Sequence, residues 1–200
     1  MELKLPIVEI FDSIQGEGYH MGEMVTFIRT SGCNLACPWC DTKESWGKID
    51  AYKEMTLTEI MEEVHFENVV ITGGEPTIHG EALDALIATL KQNDCYVCIE
   101  TNGTNPVNHL VDWVTCSPKP GTNYFIHPHL RPDELKYVVD ENFDDMEAIP
   151  EEVRDRYAGL IWLQPEGGDM MHSWKNAMAL VAADDRLRVG VQLHKVMEVK

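Results

Sequence analysis

Residues 68–100 read NVVITGGEPTIHGEALDALIATLKQNDCYVCIE: a β-branched run Asn68–Thr72, a glycine-containing turn, a helical stretch Glu81–Lys91 and a second apolar run Tyr96–Glu100. Leu83, Leu86, Ile87 and Leu90 recur at the spacing of one helix face, whereas the flanking runs are short and continuous, as strands buried on both faces are. Two strands joined through a helix are parallel neighbours, because parallel pairing needs a crossover connection. The same alternation extends outward. Further strands are read at Met24–Ile28, Trp113–Cys116, Leu135–Val139, Leu160–Gln164 and Leu187–Gln192. Further helices are read at Leu57–Val64, behind a Thr56 or Thr58 cap, and at Trp174–Ala183. A closed eight-stranded barrel takes about 250 residues. The 200 residues here therefore predict an α/β partial (open) barrel of about six parallel strands with helices outside, its chemistry gathered at the C-terminal strand ends.

No repeat and no Gly/Ser-rich linker divides the chain, so residues 1–200 are read as a single domain. The net charge of −18, from 16 Lys+Arg against 34 Asp+Glu, repels phosphate backbones and anionic lipid and argues against direct nucleic-acid or membrane binding. No apolar run is long enough to cross a bilayer. The opening MELKLPIVEIFD is interrupted by Glu2, Lys4, Glu9 and Asp12, so it lacks a secretion signal's apolar core and a cytoplasmic location is expected. In a reducing compartment six cysteines point to metal ligation or catalysis rather than disulfides. Asp140–Glu152, with seven acids, reads as a solvated loop.

Three of the cysteines stand together as Cys33-Asn-Leu-Ala-Cys37-Pro-Trp-Cys40, CxxxCxxC, directly after the first barrel strand. Three thiolates at this spacing can face one iron–sulfur cube and leave one iron open. A zinc site completed by His20, Asp41 or Cys116, or plain burial, is the other reading of the motif alone. Polar clusters follow other strands: Gly73-Gly74-Glu75-Pro76, Thr101-Asn102-Gly103, Ser117-Pro118-Lys119 and Gln164-Pro165-Glu166-Gly167. In the first, two glycines would let a ligand approach the backbone, and Glu75 would offer a carboxylate to an α-ammonium. Each cluster alone also reads as a turn. Five polar clusters at one end of successive strands are hard to assign to turns alone.

Through CxxxCxxC and GGEP the sequence resembles the radical S-adenosylmethionine (SAM) superfamily. Within it, the chain resembles the 7-carboxy-7-deazaguanine synthase family through Phe11–Gly18 (FDSIQGEG), Phe27–Arg29, Gly32–Asn34, Trp39–Thr42 (WCDT), Glu100–Gly103, Ser117–Lys119, Gln164-Pro165 and Gln192–Lys195. The resemblance implies a lyase of queuosine and deazapurine precursor synthesis. Its 4Fe-4S cluster is held by Cys33, Cys37 and Cys40, and SAM binds the fourth iron. One electron cleaves SAM to a 5′-deoxyadenosyl radical, which takes hydrogen from 6-carboxy-5,6,7,8-tetrahydropterin; the ring contracts and ammonia leaves. SAM contacts are implied for Trp39, Asp41, Gly73, Gly74, Glu75, Gly103, Ser117, Pro118, Lys119, Gln164, Pro165 and Glu166. Substrate contacts are implied for Ile14, Gln15, Gly16, Glu17, Arg29 and Thr101, and a magnesium contact for Thr42. No catalytic residue is expected beyond the cluster and the radical. A homodimer and an electron donor such as flavodoxin complete the expectation.

The side chains agree with such a substrate. Gln15 and the Ile14–Gly16 backbone can match a pterin edge, Glu17 can accept from ring N–H groups, and Arg29 can fork a carboxylate, although a strand arginine also reads as a salt-bridged surface charge. Thr42 is a hard oxygen donor suited to magnesium, or a turn residue. Cys95 and Cys98, His127 and His129, and Met170-Met171-His172 read as packing or loop. Two features depart from the family: Glu166-Gly167-Gly168 near the far SAM contacts, and Lys200 where a small residue or proline is usual. A glycyl-radical activase sharing the cysteines and GGEP is the rival enzyme, and a non-catalytic zinc or iron–sulfur module the rival from another class.

Overall fold

The computed structural model describes residues 2–37, 40, 42–46, 52–119, 125–140, 143, 157, 159–165 and 170–200. Its nine strands are β1 Lys4–Ile14, β2 Met24–Thr30, β3 Lys53–Thr56, β4 Asn68–Gly73, β5 Tyr96–Thr101, β6 Trp113–Cys116, β7 Glu134–Val139, β8 Leu160–Pro165 and β9 Leu187–Val189. They form one sheet in the order β3-β1-β2-β4-β5-β6-β7-β8-β9. From β2 to β9 every neighbouring pair is parallel, so all seven strands read from the sequence lie side by side and end at the same edge. β1 and β3 are additions, paired antiparallel beyond β2.

Helices α1 Leu57–Glu62, α2 Glu81–Gln92 and α3 Met170–Ala183 lie in the connections that lead into β4, β5 and β9, and a single turn, α4 Leu193–Val196, follows β9. Thr56 is the cap of α1. Its hydroxyl accepts from Glu59 N (3.2 Å) and the Glu59 carboxylate accepts from Thr56 N (2.8 Å), a reciprocal capping box. The four apolar residues of the α2 stripe are all buried against the sheet.

Alternation along each strand separates two apolar layers. Ile28, Val69, Ile71, Val97, Ile99, Val114, Leu135 and Leu163 belong to the main core shared with the helices. Val25, Phe27, Val70 and Cys98 form a smaller cluster on the opposite face, with Phe11 stacked on Phe27 at 5.0 Å. Cys95 joins the first cluster and Cys98 the second, which agrees with packing roles on opposite sides. The strand read as Leu187–Gln192 stops at Val189. There Gly190 N donates to Leu163 O (2.8 Å), and the chain turns so that Gln192 precedes α4. Among the described residues no helix is long and apolar enough to cross a membrane.

Candidate active site

A cavity of about 380 Å³ opens on the side of the sheet that bears Phe27 and Arg29. Cys33, Cys37, Cys40 and Thr42 line it from the loop after β2. Burial pushes the thiols of Cys33 and Cys37 up, so a bound cation is needed to favour their thiolates. His20 and Cys116, the described candidates for a fourth zinc ligand, are not in the wall. His20 packs between Trp113 and Tyr96, and Cys116 is fully buried. Among the described residues no three Cys, His, Asp or Glu side chains converge on one ion.

Gly73 and Gly74 line the cavity, and the structure adds a second reason for glycine at both positions. A Cβ on Gly73 would lie 2.2 Å from Thr30 O, and one on Gly74 would lie 2.1 Å from Gly32 O. The cysteine loop's own backbone thus demands both residues, and Gly74 N to Thr30 O (3.1 Å) and Glu75 N to Gly32 O (2.8 Å) lock the two strand ends together. Glu75 sits behind the wall, fully buried. Its carboxylate accepts from Thr77 N (3.1 Å), Thr77 Oγ1 (2.6 Å), Thr101 Oγ1 (2.7 Å) and Asn102 N (2.6 Å).

Of the other expected SAM contacts, Ser117, Lys119, Gln164 and Pro165 line the cavity, with Lys119 Nζ donating to Ser117 Oγ (2.6 Å). Gly103 and Pro118 do not line it; Trp39, Asp41 and Glu166 lie outside the described residues, as does most of the acidic segment 140–152. All the expected substrate contacts do: Ile14, Gln15, Gly16, Glu17, Arg29 and Thr101. Arg29 combines both readings offered for it, since its Nε donates to Glu9 Oε1 (2.9 Å) while the side chain faces the cavity. His127 and His129 lie in a loop away from the cavity, their ring centroids 5.5 Å apart.

Two parts of the wall go beyond the contacts expected from the sequence. The first is a buried ionic floor. Glu17 pairs with Lys136 of β7 at 2.5 Å, and Lys136 lies 3.7 Å from Glu100 of β5, which accepts from Thr72 Oγ1 (2.9 Å). Burial alone would raise the Glu17 carboxyl, yet the Lys136 ammonium and a hydrogen bond from Gln192 Nε2 (2.7 Å) hold it below the usual range. Burial would likewise lower Lys136, and the charges of Glu100 and Glu17 hold it above its ordinary value. Lys136 and Glu100 are ionisable residues inside otherwise apolar strands, the signal that also marks Arg29. The second part is the segment 192–200, which contributes Gln192, His194, Lys195 and Lys200. Leu193 N donates to Gly16 O (2.9 Å), and a Cβ on Gly16 would lie 2.0 Å from His194 Nδ1, so α4 rests directly on the 15–17 loop. Ser13 Oγ donates to Lys200 O (2.5 Å), and the Lys200 ammonium pairs with Glu9.

A parallel sheet with three cysteines after its first parallel strand and a glycine pair after the next defines an enzyme of the radical SAM type. The radical SAM superfamily model matches residues 27–140. The 7-carboxy-7-deazaguanine synthase of Bacteroides thetaiotaomicron is 39% identical over 198 residues, covering 97% of this chain and 98% of that one. The enzyme of the same name from Aquifex aeolicus is 36% identical over 207 residues, covering 96% and 93%. The crystal structure of QueE from Escherichia coli superposes with a TM-score of 0.80 at 29% identity, covering 96% and 95%. The chain belongs to the 7-carboxy-7-deazaguanine synthase family of the radical SAM superfamily. Membership brings a 4Fe-4S cluster and SAM as cofactors and a small molecule as substrate.

Proposed function

We propose that the chain converts 6-carboxy-5,6,7,8-tetrahydropterin to 7-carboxy-7-deazaguanine with loss of ammonia, acting as a single domain 1–200 in a cytoplasmic homodimer that takes its electron from a flavodoxin-like donor. The observation that carries this reading is that one cavity joins the three cysteines to the Gln15–Glu17 floor. Cys33, Cys37 and Cys40 would hold the cluster, which when bound supplies the electron that cleaves SAM. Five Lys and Arg side chains against two Glu line the cavity of a chain whose net charge is −18, which favours ligands carrying carboxylates. Gln15, anchored through its Nε2 to Glu100 Oε1 (3.4 Å), and Glu17, kept ionised by Lys136, offer amide and carboxylate groups to a pterin edge. The 15–17 loop and α4 wall off the cavity, which suits a small substrate better than the exposed loop of a protein that an activase would need. Anaerobic incubation with SAM, dithionite, magnesium and the carboxytetrahydropterin tests the proposal by mass analysis. SAM cleavage without a deazapurine would sink it.

Arg29 is assigned to the substrate carboxylate. Arg29→Ala is expected to leave cluster content unchanged and to weaken substrate binding by about 2–5 kcal/mol, the cost of truncating one partner of a buried charge pair; an unchanged KM would make the residue purely structural. Thr42 is assigned to magnesium that bridges to the same carboxylate. Its carbonyl ends the short turn Lys43–Trp46 by accepting from Ser45 N (3.0 Å) and Ser45 Oγ (2.6 Å), which holds the residue at the cavity wall. Chelation of magnesium should slow the wild type strongly, and Thr42→Val should be slow with or without the ion. Normal turnover of Thr42→Val with an undiminished magnesium response would place the ion elsewhere.

A further inference from the structure

Between Cys33 and Leu35 stands Asn34, whose side chain leaves the cysteine loop and enters the loop after β5. Its Oδ1 accepts from Asn102 Nδ2 (2.9 Å) and its Nδ2 donates to Thr104 Oγ1 (2.7 Å). Thr104 Oγ1 in turn donates to Asn102 Oδ1 (2.7 Å), which also accepts from Thr104 N (3.0 Å). Three side chains thereby close a ring. Asn34 itself is exposed, whereas Asn102 and Thr104 are 5% and 7% exposed, so the inner side of the ring has little water to replace a lost partner. The ring is itself tied down, because Asn102 N donates to the fully buried Glu75 carboxylate and Thr101 Oγ1 does the same. The ends of β2, β4 and β5 are thus joined by protein hydrogen bonds alone.

The geometry points to Asn34, acting through the ring with Asn102 and Thr104, as the positioning residue that sets Cys33 against the cavity wall and so governs how firmly the cluster is retained. The inference rests on the proposal that Cys33, Cys37 and Cys40 hold that cluster. The physical reasoning is one of preorganisation. A ligand held in place before binding loses less conformational freedom on binding, and one released from its neighbour swings away more readily when a metal bond breaks. Leu35 N donates to Cys33 Sγ (3.4 Å), so the turn that carries the thiol is the turn that the ring clamps. Asn102 also lines the cavity, so the clamp fixes the first cysteine to the surface that bounds the site.

The test is the anaerobic rate of cluster loss to an iron chelator, followed by visible absorbance, beside the thermal midpoint of each cluster-free protein. Asn34→Ala and Thr104→Val are each expected to speed cluster loss about fivefold to tenfold, the worth of a net hydrogen bond or slightly more. Thr104→Ser, which keeps the hydroxyl, is expected to retain the cluster like the wild type. The Asn34→Ala/Thr104→Val double variant should lose it no faster than the quicker single variant, because both break the same ring. Asn105→Ala, which removes a neighbouring bond to Thr77 Oγ1 (3.1 Å) outside the ring, should leave the rate unchanged. Wild-type retention in Asn34→Ala and Thr104→Val would overturn the inference, as would variants whose only change is a lower thermal midpoint. A wild type that takes up no iron and sulfide would overturn the cysteine assignment and this inference together.

Discussion

Cys33→Ala, Cys37→Ala and Cys40→Ala are each expected to abolish SAM cleavage. A cube with three protein thiolates already leaves one iron open, and removing a thiolate strips a second. Cys95→Ala and Cys98→Ala are expected to cleave SAM normally, because these thiols lie in apolar clusters on opposite faces of the sheet. Burial pushes the Cys98 thiol up to about 12, so it is a poor source of thiolate. Iron and sulfide content with 5′-deoxyadenosine production, measured on all five variants, checks the assignment. A Cys98→Ala protein that folded but held no cluster would show that the ligand set is wrong.

Lys136→Met carries the largest expected cost in stability. The side chains of Lys136 and Glu17 are only 11% and 13% exposed. Removing the ammonium leaves Glu17 buried without its partner and Glu100 without its nearby cation, a loss of about 3–5 kcal/mol. The dependence on pH has a definite sign. Glu17 is held below its ordinary value, so its contribution is present above about pH 4, where an unfolded glutamate ionises, and fades as acid carries the pH down through the lowered value. Lys136 is held above its ordinary value, so its contribution is present at neutral pH and is lost only when the pH rises through that raised value. Denaturant midpoints of wild type and Lys136→Met should therefore differ most near neutrality and converge in acid. Equal midpoints at neutral pH would mean that the floor contributes no net stability.

The parallel strands were legible because each is a short β-branched or apolar run, buried on both faces and closed by turn or charge signals. β1 was not. Lys4, Pro6, Glu9 and Asp12 interrupt its pattern; Lys4 is exposed, and the antiparallel arrangement accommodates the other three, since Pro6 O accepts from Ser31 N (2.8 Å), Glu9 pairs with Arg29, and Asp12 accepts from Thr26 Oγ1 (2.7 Å). β3 is a four-residue edge strand, too short for any periodicity. The mouth of the site was legible because three closely spaced cysteines and polar, glycine-containing clusters recur after successive strands. The floor was not, since Lys136 and Glu100 acquire meaning only when β5 and β7 are set across the cavity from residue 17. Gln192–Lys195 stood out as a likeness to the family, but nothing in a polar stretch after a three-residue strand says that it folds back onto Gly16.

That return gives the chain a temporal order. A ribosome delivers residues 33–42 while more than half of the polypeptide is still unmade, and N-terminal parts begin to fold first. The wall supplied by Gln192, His194, Lys195 and Lys200 emerges after every strand of the sheet. Until α4 docks, the cavity lacks the side that Gln192, His194 and Lys195 supply. The contact between Leu193 and Gly16 therefore completes the site, and that side of the cavity is built only after the sheet it closes.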